Sequence, residues 1–519
     1  MAGAAPGTFT LEGMHANRSV RGRRALAAVL FTSLFLALAV RLPGALRLDA
    51  YAGAVREFTL ANGLRVVVIE DAGSPVVAAC FTARGGYADD PPGQRGLASV
   101  TTLLLQEGPA DRGSRDIAGE RLAVKAMDAA VAEARAAESK PGSSGLYERM
   151  QSDVRARVAI RNADSFVRPR FAVKALEHYG MNEFHAATTA DSIQWWVRMP
   201  ATRVDAFLLL YGEWLRAPFP RLLYQAKERR MREFTEAAAT ADQALRRTLM
   251  AAAFGPQGYG LLEVEPPELE RLQRAGAEAY LRSRLVAANL TLTLAGGITE
   301  AEARALATRY LEKIPAGKRL GAALPSAQAP HAVLAAPPKE APGAIVAAYR
   351  RPPEGDPDDA VFDVIAQLLL DGPSSRIRTR FLKDNPLLTG VAPSLSMPGS
   401  RQGGLMLAVL PYHPSRAPKE WTAKLTAFFE ELGGEPVSES ELEGARRSLE
   451  DKLLNTLADP AMAAQYIGRM GGWKQVVALL EAWSRVTPEA LRAAASRYLK
   501  PEVRIVLEPG LPAAAGELK

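Results

Sequence analysis

Ser99 and Thr102 lie three residues apart in a stretch, Gly96 to Gly108, that has the pattern of a helix. The apolar residues of this stretch recur at helical spacing and are Leu97, Val100, Leu103 and Leu104. Because helical residues three apart share a face, the two hydroxyls would lie on the same face of the helix. A serine hydroxyl is a poor ligand for zinc, and a threonine hydroxyl is not deprotonated unaided near pH 7. These two residues therefore offer neither metal binding nor general-base chemistry.

Histidine, a common base and metal ligand, is scarce in this chain. Its five positions are His15, His178, His185, His331 and His413. Two catalytic sites could be built around these histidines. One is a metal cluster of Glu177, His178 and His185, and the other is a Ser99 nucleophile with His185 as its base. A histidine on a helix end or loop is more often solvated or capping, and no G-x-S-x-G sequence surrounds Ser99, so we favour neither.

The composition is that of an ordinary globular protein. The chain has 519 residues, of which 48% are hydrophobic and 23% charged, with a net charge of +7 and a pI near 9.4. The arginines are spread along helices and form no concentrated basic run beside aromatic residues, which argues against nucleic-acid binding. Cys80 is the only cysteine, so an intrachain disulfide framework and a cysteine zinc site are excluded. It lies in an apolar run and is predicted to be a buried small hydrophobe.

The N-terminal segment has the pattern of an export signal. A basic region containing Arg18, Arg21, Arg23 and Arg24 precedes an uncharged apolar stretch, Ala25 to Val40. Ala50-Tyr51-Ala52 is a cleavage candidate, and Met14 is a candidate for the true start. We expect a signal peptide or signal anchor over residues 1–52. This predicts an exported protein in a bacterial periplasm, with an inner-membrane anchor as the alternative.

The elements that position the Gly96 helix begin with two strand-like runs on either side of Asn62-Gly63, a strong tight-turn signal. A further strand, Pro75 to Ala83, leads through Gly85-Gly86 to the helix. Later in the chain, the breaker Pro141-Gly142 predicts a pair of exposed helices between about 117 and 175. We interpret this pair as a solvated hairpin, with a partner-docking arm as the alternative.

Two longer segments follow. The stretch from Tyr224 to Phe254 is predicted to be helical throughout. The stretch from Gly317 to Gly343 is rich in proline and alanine and predicts an extended linker.

The second half repeats the first in outline. The predicted elements are a strand at Ile345–Arg350, a helix at Asp356–Leu370, strands at Thr389–Leu395 and Gly404–Leu410, helices at Ala417–Leu432 and Ser438–Leu457, a helix from Thr487 to Tyr498 and a strand at Val503–Leu507. A repeat of about 230 residues indicates two related α+β domains.

Three features resemble peptidase family M16, the pitrilysin, insulinase and mitochondrial processing peptidase family. They are L-x-N-G-L-R-V-V-V from Leu60 to Val68, the Gly-Gly strand exit before the helix, and D-D-A-V-F-D-V-I-A-Q-L-L-L-D-G-P-S-S-R from Asp358 to Arg376. The resemblance implies an α+β fold with two homologous α/β sandwich domains, similar to those of LuxS and related metallohydrolases, that form half a clamshell. The implied boundaries are a first domain at 55–315 with a helical insertion at about 117–175, a linker at 316–343, a second domain at 344–510 and a tail at 511–519.

The resemblance also implies that the zinc chemistry of the family is missing. In the family, H-x-x-E-H on the first helix supplies two zinc-binding histidines and a glutamate that activates water. Those places hold Ser99, Thr102 and Leu103 here. The third ligand, a glutamate, falls on Glu233, or on Glu228 if the helix start is shifted. We expect no catalytic residue, and a remnant ligand at most.

Two further parts of the family site fall on identifiable positions. The arginine and tyrosine that hold the peptide carbonyl in active relatives fall on Leu382 and Thr389, so both polar groups are lost. The family's edge strand, which lies beside an extended peptide, falls on Ala186, Ala187 and Thr188, the predicted substrate-binding segment.

These features predict an M16 homologue that is not an enzyme on its own. We expect a substrate-holding subunit, paired as a heterodimer with an active M16 zinc peptidase and contacting peptides or unfolded protein segments. One alternative is a stand-alone scaffold or peptide-binding module, for example a homodimer. The other is a metallopeptidase with atypical ligands, the only case in which we expect zinc as a cofactor.

Overall fold

The computed structural model describes residues 48–181, 183–238, 240–255, 258–261, 266–321, 331–339, 343–386, 388–412 and 421–508. The predicted export segment up to residue 47 and the tail at 511–519 lie outside the described residues. Within them, no helix combines the length and apolar character needed to cross a lipid bilayer.

The first half is a six-stranded sheet with helices around it. Its elements are α1 (Leu48–Ala54), β1 (Val55–Thr59), β2 (Arg65–Glu70), β3 (Val76–Arg84), α2 (Leu97–Leu104), α3 (Ile117–Glu138), α4 (Gly142–Ser165), α5 (Phe171–His178), β4 (His185–Thr188), β5 (Ser192–Pro200), α6 (Val204–Arg216), α7 (Leu223–Ala238), α8 (Ala241–Phe254), α9 (Pro266–Arg271), α10 (Arg274–Arg284), β6 (Leu290–Gly296) and α11 (Glu300–Leu311). The strand order is β1-β2-β6-β3-β5-β4, with β2 and β6 parallel. The predicted turn at Asn62-Gly63 joins β1 to β2, and Gly63 has the positive φ of 89° that favours glycine there.

The start of the folded body includes part of the predicted signal. α1 contains Tyr51, which is 8% exposed and lies 5.5 Å, between ring centroids, from Trp473 of the second half. Tyr51, within the predicted signal segment, therefore packs against the second half in this structure. Cys80 is fully buried in β3, as its apolar neighbours indicate.

The predicted helical insertion is a hairpin of α3 and α4. Asp116 caps α3 by accepting from Ala118 N and Gly119 N, and Pro141 precedes the first residue of α4. Large apolar side chains of α4 are exposed at Leu146, Tyr147, Met150, Val154 and Val158. The hairpin surface is thus not uniformly polar.

The predicted continuous helix from Tyr224 to Phe254 is wrong, because the chain forms two helices, α7 and α8. Thr240 begins the second helix by accepting from Gln243 N with its hydroxyl. A threonine that bonds local backbone in this way favours a cap over a helix interior.

The second half has a five-stranded sheet. Its elements are β7 (Val333–Ala335), β8 (Ala344–Arg350), α12 (Asp359–Leu370), a short π-helix (Ile377–Leu382), β9 (Ala392–Met397), β10 (Leu405–Pro411), α13 (Trp421–Gly434), α14 (Glu439–Ala458), α15 (Pro460–Met470), α16 (Trp473–Ser484), α17 (Pro488–Tyr498) and β11 (Arg504–Leu507). The strand order is β7-β11-β8-β10-β9. The segment predicted as a linker contains β7, which pairs in parallel with β11.

Each sheet also packs against a helix from the other half. Val67 and Ile69 of β2 share an apolar cluster with Ile467 of α15. Gly468 allows this close approach, since a methyl group there would lie 2.2 Å from Thr82 Oγ1. In the same way, Met250 of α8 shares a cluster with the second sheet. This reciprocal arrangement agrees with the predicted internal repeat.

Buried polar contacts also join the halves. Arg401 Nη1 donates to Asp89 Oδ2 over 2.6 Å, and these side chains are 3% and 6% exposed. Asp191 accepts from the Tyr259 hydroxyl at 2.7 Å and from Ser400 N at 2.9 Å. The loop before β10 is therefore held against the end of the first sheet.

Candidate functional site

The helix predicted to carry the site, α2, is buried along its whole length. It has no side-chain cap of its own. Asp90, in the turn after β3, accepts from Gly96 N at 2.7 Å and from Ala98 N at 2.9 Å. Burial raises the pKa of Asp90 to about 7, although these backbone donors act to lower it. The helix is thus held firmly at its N-terminus by a carboxyl group.

The two hydroxyl residues face a guanidinium group. Arg230 of α7 donates from Nη2 to Thr102 Oγ1 over 2.5 Å and from Nε to the Ser99 carbonyl oxygen over 3.3 Å. Thr102 in turn donates its only hydroxyl proton to the Ser99 carbonyl oxygen over 2.8 Å. Leu103 is 8% exposed and belongs to the first apolar core. The polar face of α2 is therefore occupied by Arg230.

Glu233 is one turn further along α7 and lies beside the same group. It accepts from Arg230 Nη1 and, over 2.9 Å, from Arg229 Nε. Burial opposes ionisation of Glu233, but the hydrogen bonds and charges of Arg229 and Arg230 outweigh it and lower its pKa. Glu228 is exposed and borders an open groove together with Met231. Of the two predicted remnant ligands, Glu233 is thus the one near α2.

The residues present do not fit a catalytic zinc ion. Such a site needs three good donors and an open position for water. Here the groups around Arg230 are a carbonyl oxygen, a threonine hydroxyl and a carboxylate already paired with two guanidinium groups. A fixed cation in this place repels a second one. The chemistry of the donor set therefore supports no metal-dependent step.

The alternative histidine cluster is not assembled in the structure. His178 packs edge-on against Tyr179, and His185 stacks on Trp196 with ring centroids 5.3 Å apart. Among the described residues, no three His, Cys, Asp or Glu side chains are grouped so that they could hold a metal ion. His15 and His413 lie outside those residues.

The predicted peptide segment, β4, is an edge strand. It pairs with β5 on one side, and its residues His185 and Ala187 are exposed. Thr188 Oγ1 donates to the Ala98 carbonyl oxygen of α2 over 3.0 Å. The edge therefore runs beside the helix whose polar face Arg230 occupies.

The positions predicted for the lost arginine and tyrosine are structural. Leu382 packs against the second apolar core from the π-helix. Thr389 donates from its backbone N and its hydroxyl to the Pro411 carbonyl oxygen, over 2.9 and 3.1 Å. Neither offers a charged or phenolic group to a peptide.

Sequence reasoning missed the role of Arg230. The sequence did hold a signal for this role, because Arg230 precedes Glu233 by three residues and both side chains therefore lie on one face of α7. What could not be read from the sequence is that this face meets α2, because that contact joins residues 131 positions apart.

Comparisons with known proteins bear on the resemblance to the M16 family. Residues 271–449 match the family model described as the peptidase M16 inactive domain. No curated protein is significantly similar to the chain in sequence.

Solved structures share the fold at low sequence identity. A peptidase M16 inactive domain from Pseudomonas fluorescens has a TM-score of 0.65 at 17% identity, over 88% of this chain and 98% of that one. A protease from Helicobacter pylori has a TM-score of 0.64 at 13% identity, over 88% and 99%. The first half of the periplasmic protease PqqL from Escherichia coli has a TM-score of 0.60 at 15% identity, over 88% and 91%. Residues 271–449 therefore belong to the M16 peptidase family as an inactive-type domain, and the chain around them has the M16 fold, which confirms the resemblance seen in the sequence.

Proposed function

We propose that this protein is the non-catalytic, substrate-holding partner subunit of an active M16 zinc peptidase in the cell envelope. The observation that carries the proposal is Arg230, whose guanidinium group bonds Thr102 and the Ser99 carbonyl where the family places its zinc motif. Hydrolysis by this chain would require a metal or a base at that place, and neither fits. In the proposed role, a second chain supplies the chemistry.

The frame around the missing chemistry is intact, which favours a retained role over general decay. All eight residues of α2 are buried, and Asp90 caps the helix. The helix and its cap thus keep the shape of the site although its chemistry is missing. The persistence of the frame supports a wall that still encloses substrate.

The edge strand β4 supports the substrate-holding part of the proposal. A strand with one unpaired edge can add an extended peptide through backbone hydrogen bonds, with little dependence on sequence. His185 and Ala187 are exposed on this strand, and Thr188 ties it to α2. A peptide on this edge would lie beside Arg230 without being cleaved.

The cell-envelope setting is supported by the sequence pattern of the N-terminal segment and by the periplasmic protease among the similar structures. Export would also place the chain where a peptidase partner could meet peptides or unfolded segments.

Co-purification from the native host tests the proposal. The full chain, tagged at its C-terminus and expressed at its natural level, should bring with it a homologue with an intact H-x-x-E-H motif. The isolated complex should hydrolyse unfolded polypeptide and the isolated chain should not. Recovery of a homodimer with no such homologue would overturn the proposal in favour of a stand-alone scaffold.

A matched variant tests which chain is catalytic. Thr102→Val removes the hydroxyl that contacts Arg230 and should leave the activity of the complex unchanged. A change of the H-x-x-E-H glutamate of the partner to glutamine should abolish it. Loss of activity with Thr102→Val while the complex stays assembled would contradict a non-catalytic role.

A further inference from the structure

The side chains of Arg65 and Arg319 converge at the junction of the two halves, away from the α2 site, and the charge of Arg84 lies close enough to act on Arg319. Arg65 begins β2, Arg84 ends β3, and Arg319 lies in the segment after α11. All three belong to the first half or its exit, and Arg65 and Arg319 meet the turn between α15 and α16 of the second half.

The side chain of Asn289 brings these segments together by bonding to their backbone groups. Asn289 donates from Nδ2 to the Arg84 carbonyl oxygen over 2.8 Å and accepts from Leu320 N over 2.9 Å. The side chain of Asn289 therefore holds the 319–320 segment beside the end of β3.

A glycine leaves room for the guanidinium groups. Gly471, the left-handed cap of α15, has φ of 84°. A methyl group at this residue would lie 3.1 Å from Arg319 Nη2 and 3.6 Å from Arg65 Nη1. Both groups thus point to the same small volume.

The donors in this volume are only partly satisfied. Arg65 Nη1 and Arg84 Nε are buried without a hydrogen-bond partner among the described residues. Buried donors are paired in the great majority of folded proteins, and a ligand with acceptor oxygens would pair these two.

The surrounding carboxylates are few and already engaged. Glu57 lies 3.4 Å from Arg65 Nε and accepts from Trp473 N, while Glu354 accepts from the Ser400 hydroxyl. Asp89 is neutralised by its own pair with Arg401. The negative end of α15 offsets part of the remaining positive charge.

The charge excess is also visible in Arg319. Burial lowers the pKa of its guanidinium, and the charges of Arg65 and Arg84 lower it further, whereas Glu354 raises it. The three cations therefore repel one another in the absence of an anion.

We propose that Arg65, Arg84 and Arg319 form a binding site for a phosphate group. A guanidinium group matches the geometry of a phosphate with paired N–H donors, and three of them would neutralise its charge. Because the site is built from the first sheet, the exit segment and the α15–α16 turn, the anion fixes the two halves against each other.

Inorganic phosphate tests this site in the full chain. At constant ionic strength set with chloride, phosphate should raise the melting temperature along a saturable curve, and calorimetry should show binding. Arg84→Gln and Arg319→Gln should each weaken this binding at least tenfold. The matched control Arg447→Gln, which removes an arginine that is 75% exposed on α14, should leave it unchanged.

In these binding measurements, the site would be overturned by no saturable binding, by equal binding of all variants, or by an equal response to acetate. Arg319 is more exposed than Arg84, so Arg319→Gln keeps the test valid if Arg84→Gln fails to fold. In phosphate-free buffer, Arg319→Gln should melt at or above the wild-type temperature, because it removes repulsion. A lower melting temperature there would mark a structural contact instead and contradict the proposal.

Discussion

Arginine has opposite roles in two regions of this molecule. Beside α2, the three donor nitrogens of Arg230 all have acceptors, on Ser99, Thr102 and Glu233. At the junction of the halves, Arg65 and Arg84 each keep a buried donor that has no acceptor within the part of the chain that the structure describes. The paired guanidinium of Arg230 closes the site beside α2, whereas the unpaired donors at the junction leave a place for the proposed anion. The site beside α2, where the M16 peptidases carry their zinc motif, is therefore the one that is closed.

The largest effect should come from restoring the zinc motif with and without Arg230. The triple change Ser99→His, Thr102→Glu and Leu103→His supplies the family ligands next to Glu233. With Arg230 retained, like-charge repulsion of about 4 kcal/mol should weaken zinc binding roughly a thousandfold relative to the same triple with Arg230→Ala. Competitive chelator titration measures the difference. Equal zinc affinity in both proteins would show that Arg230 does not block the site.

Arg221 provides the reference for a fully satisfied guanidinium. It makes a bidentate pair with Glu120, both about 2% exposed or less, and donates to the carbonyl oxygens of Gly108 and Ala110. Arg221→Met should cost about 3–5 kcal/mol of unfolding free energy, because Glu120 is left as a buried, unpaired charge. Denaturant unfolding measures it. Adding Glu120→Met to this variant should recover part of the loss, and no recovery would refute the pairing.

Arg230→Met should have a smaller cost, about 1 kcal/mol, since its side chain and that of Glu233 are partly exposed to water. The neighbouring Arg229 pairs with the same carboxylate but is 57% exposed, so Arg229→Met is the matched control and should cost less than about 0.5 kcal/mol. Urea melts of the two variants give the comparison. Equal losses would mean that the contacts with α2 contribute nothing.

Arg319→Gln should have the smallest effect and the opposite sign. In phosphate-free buffer it should stabilise the protein by a few tenths of a kcal/mol, because one of three mutually repelling charges is removed at a surface position. The gain should shrink in high salt, which screens the repulsion. A gain that is independent of salt would point away from electrostatics.

Local patterns predicted the local elements well. Asn62-Gly63 forms the expected hairpin turn, Ser438 and Glu441 form a capping box, and Pro141 separates the two insertion helices. Each depends on residues close in sequence, where backbone preferences decide the outcome.

The misses involve contacts between distant parts of the chain. β7 lies in a Pro- and Ala-rich segment and becomes a strand because β11 offers it an edge. Helices α15 and α16 were not predicted, and α15 is defined by its packing on the first sheet through Ile467 and Gly468. For the site, the sequence showed which groups were lost but not that Arg230 takes their place. Tertiary contacts override local preference in each case.

The zinc content and peptidase activity of the purified full chain test the central claim most directly. The protein should be purified without chelators, measured by elemental analysis, and assayed on an unfolded polypeptide in the absence of any partner. The account predicts far less than one zinc ion per chain and no hydrolysis. One zinc ion per chain that is lost in Glu233→Gln, together with hydrolysis, would contradict it.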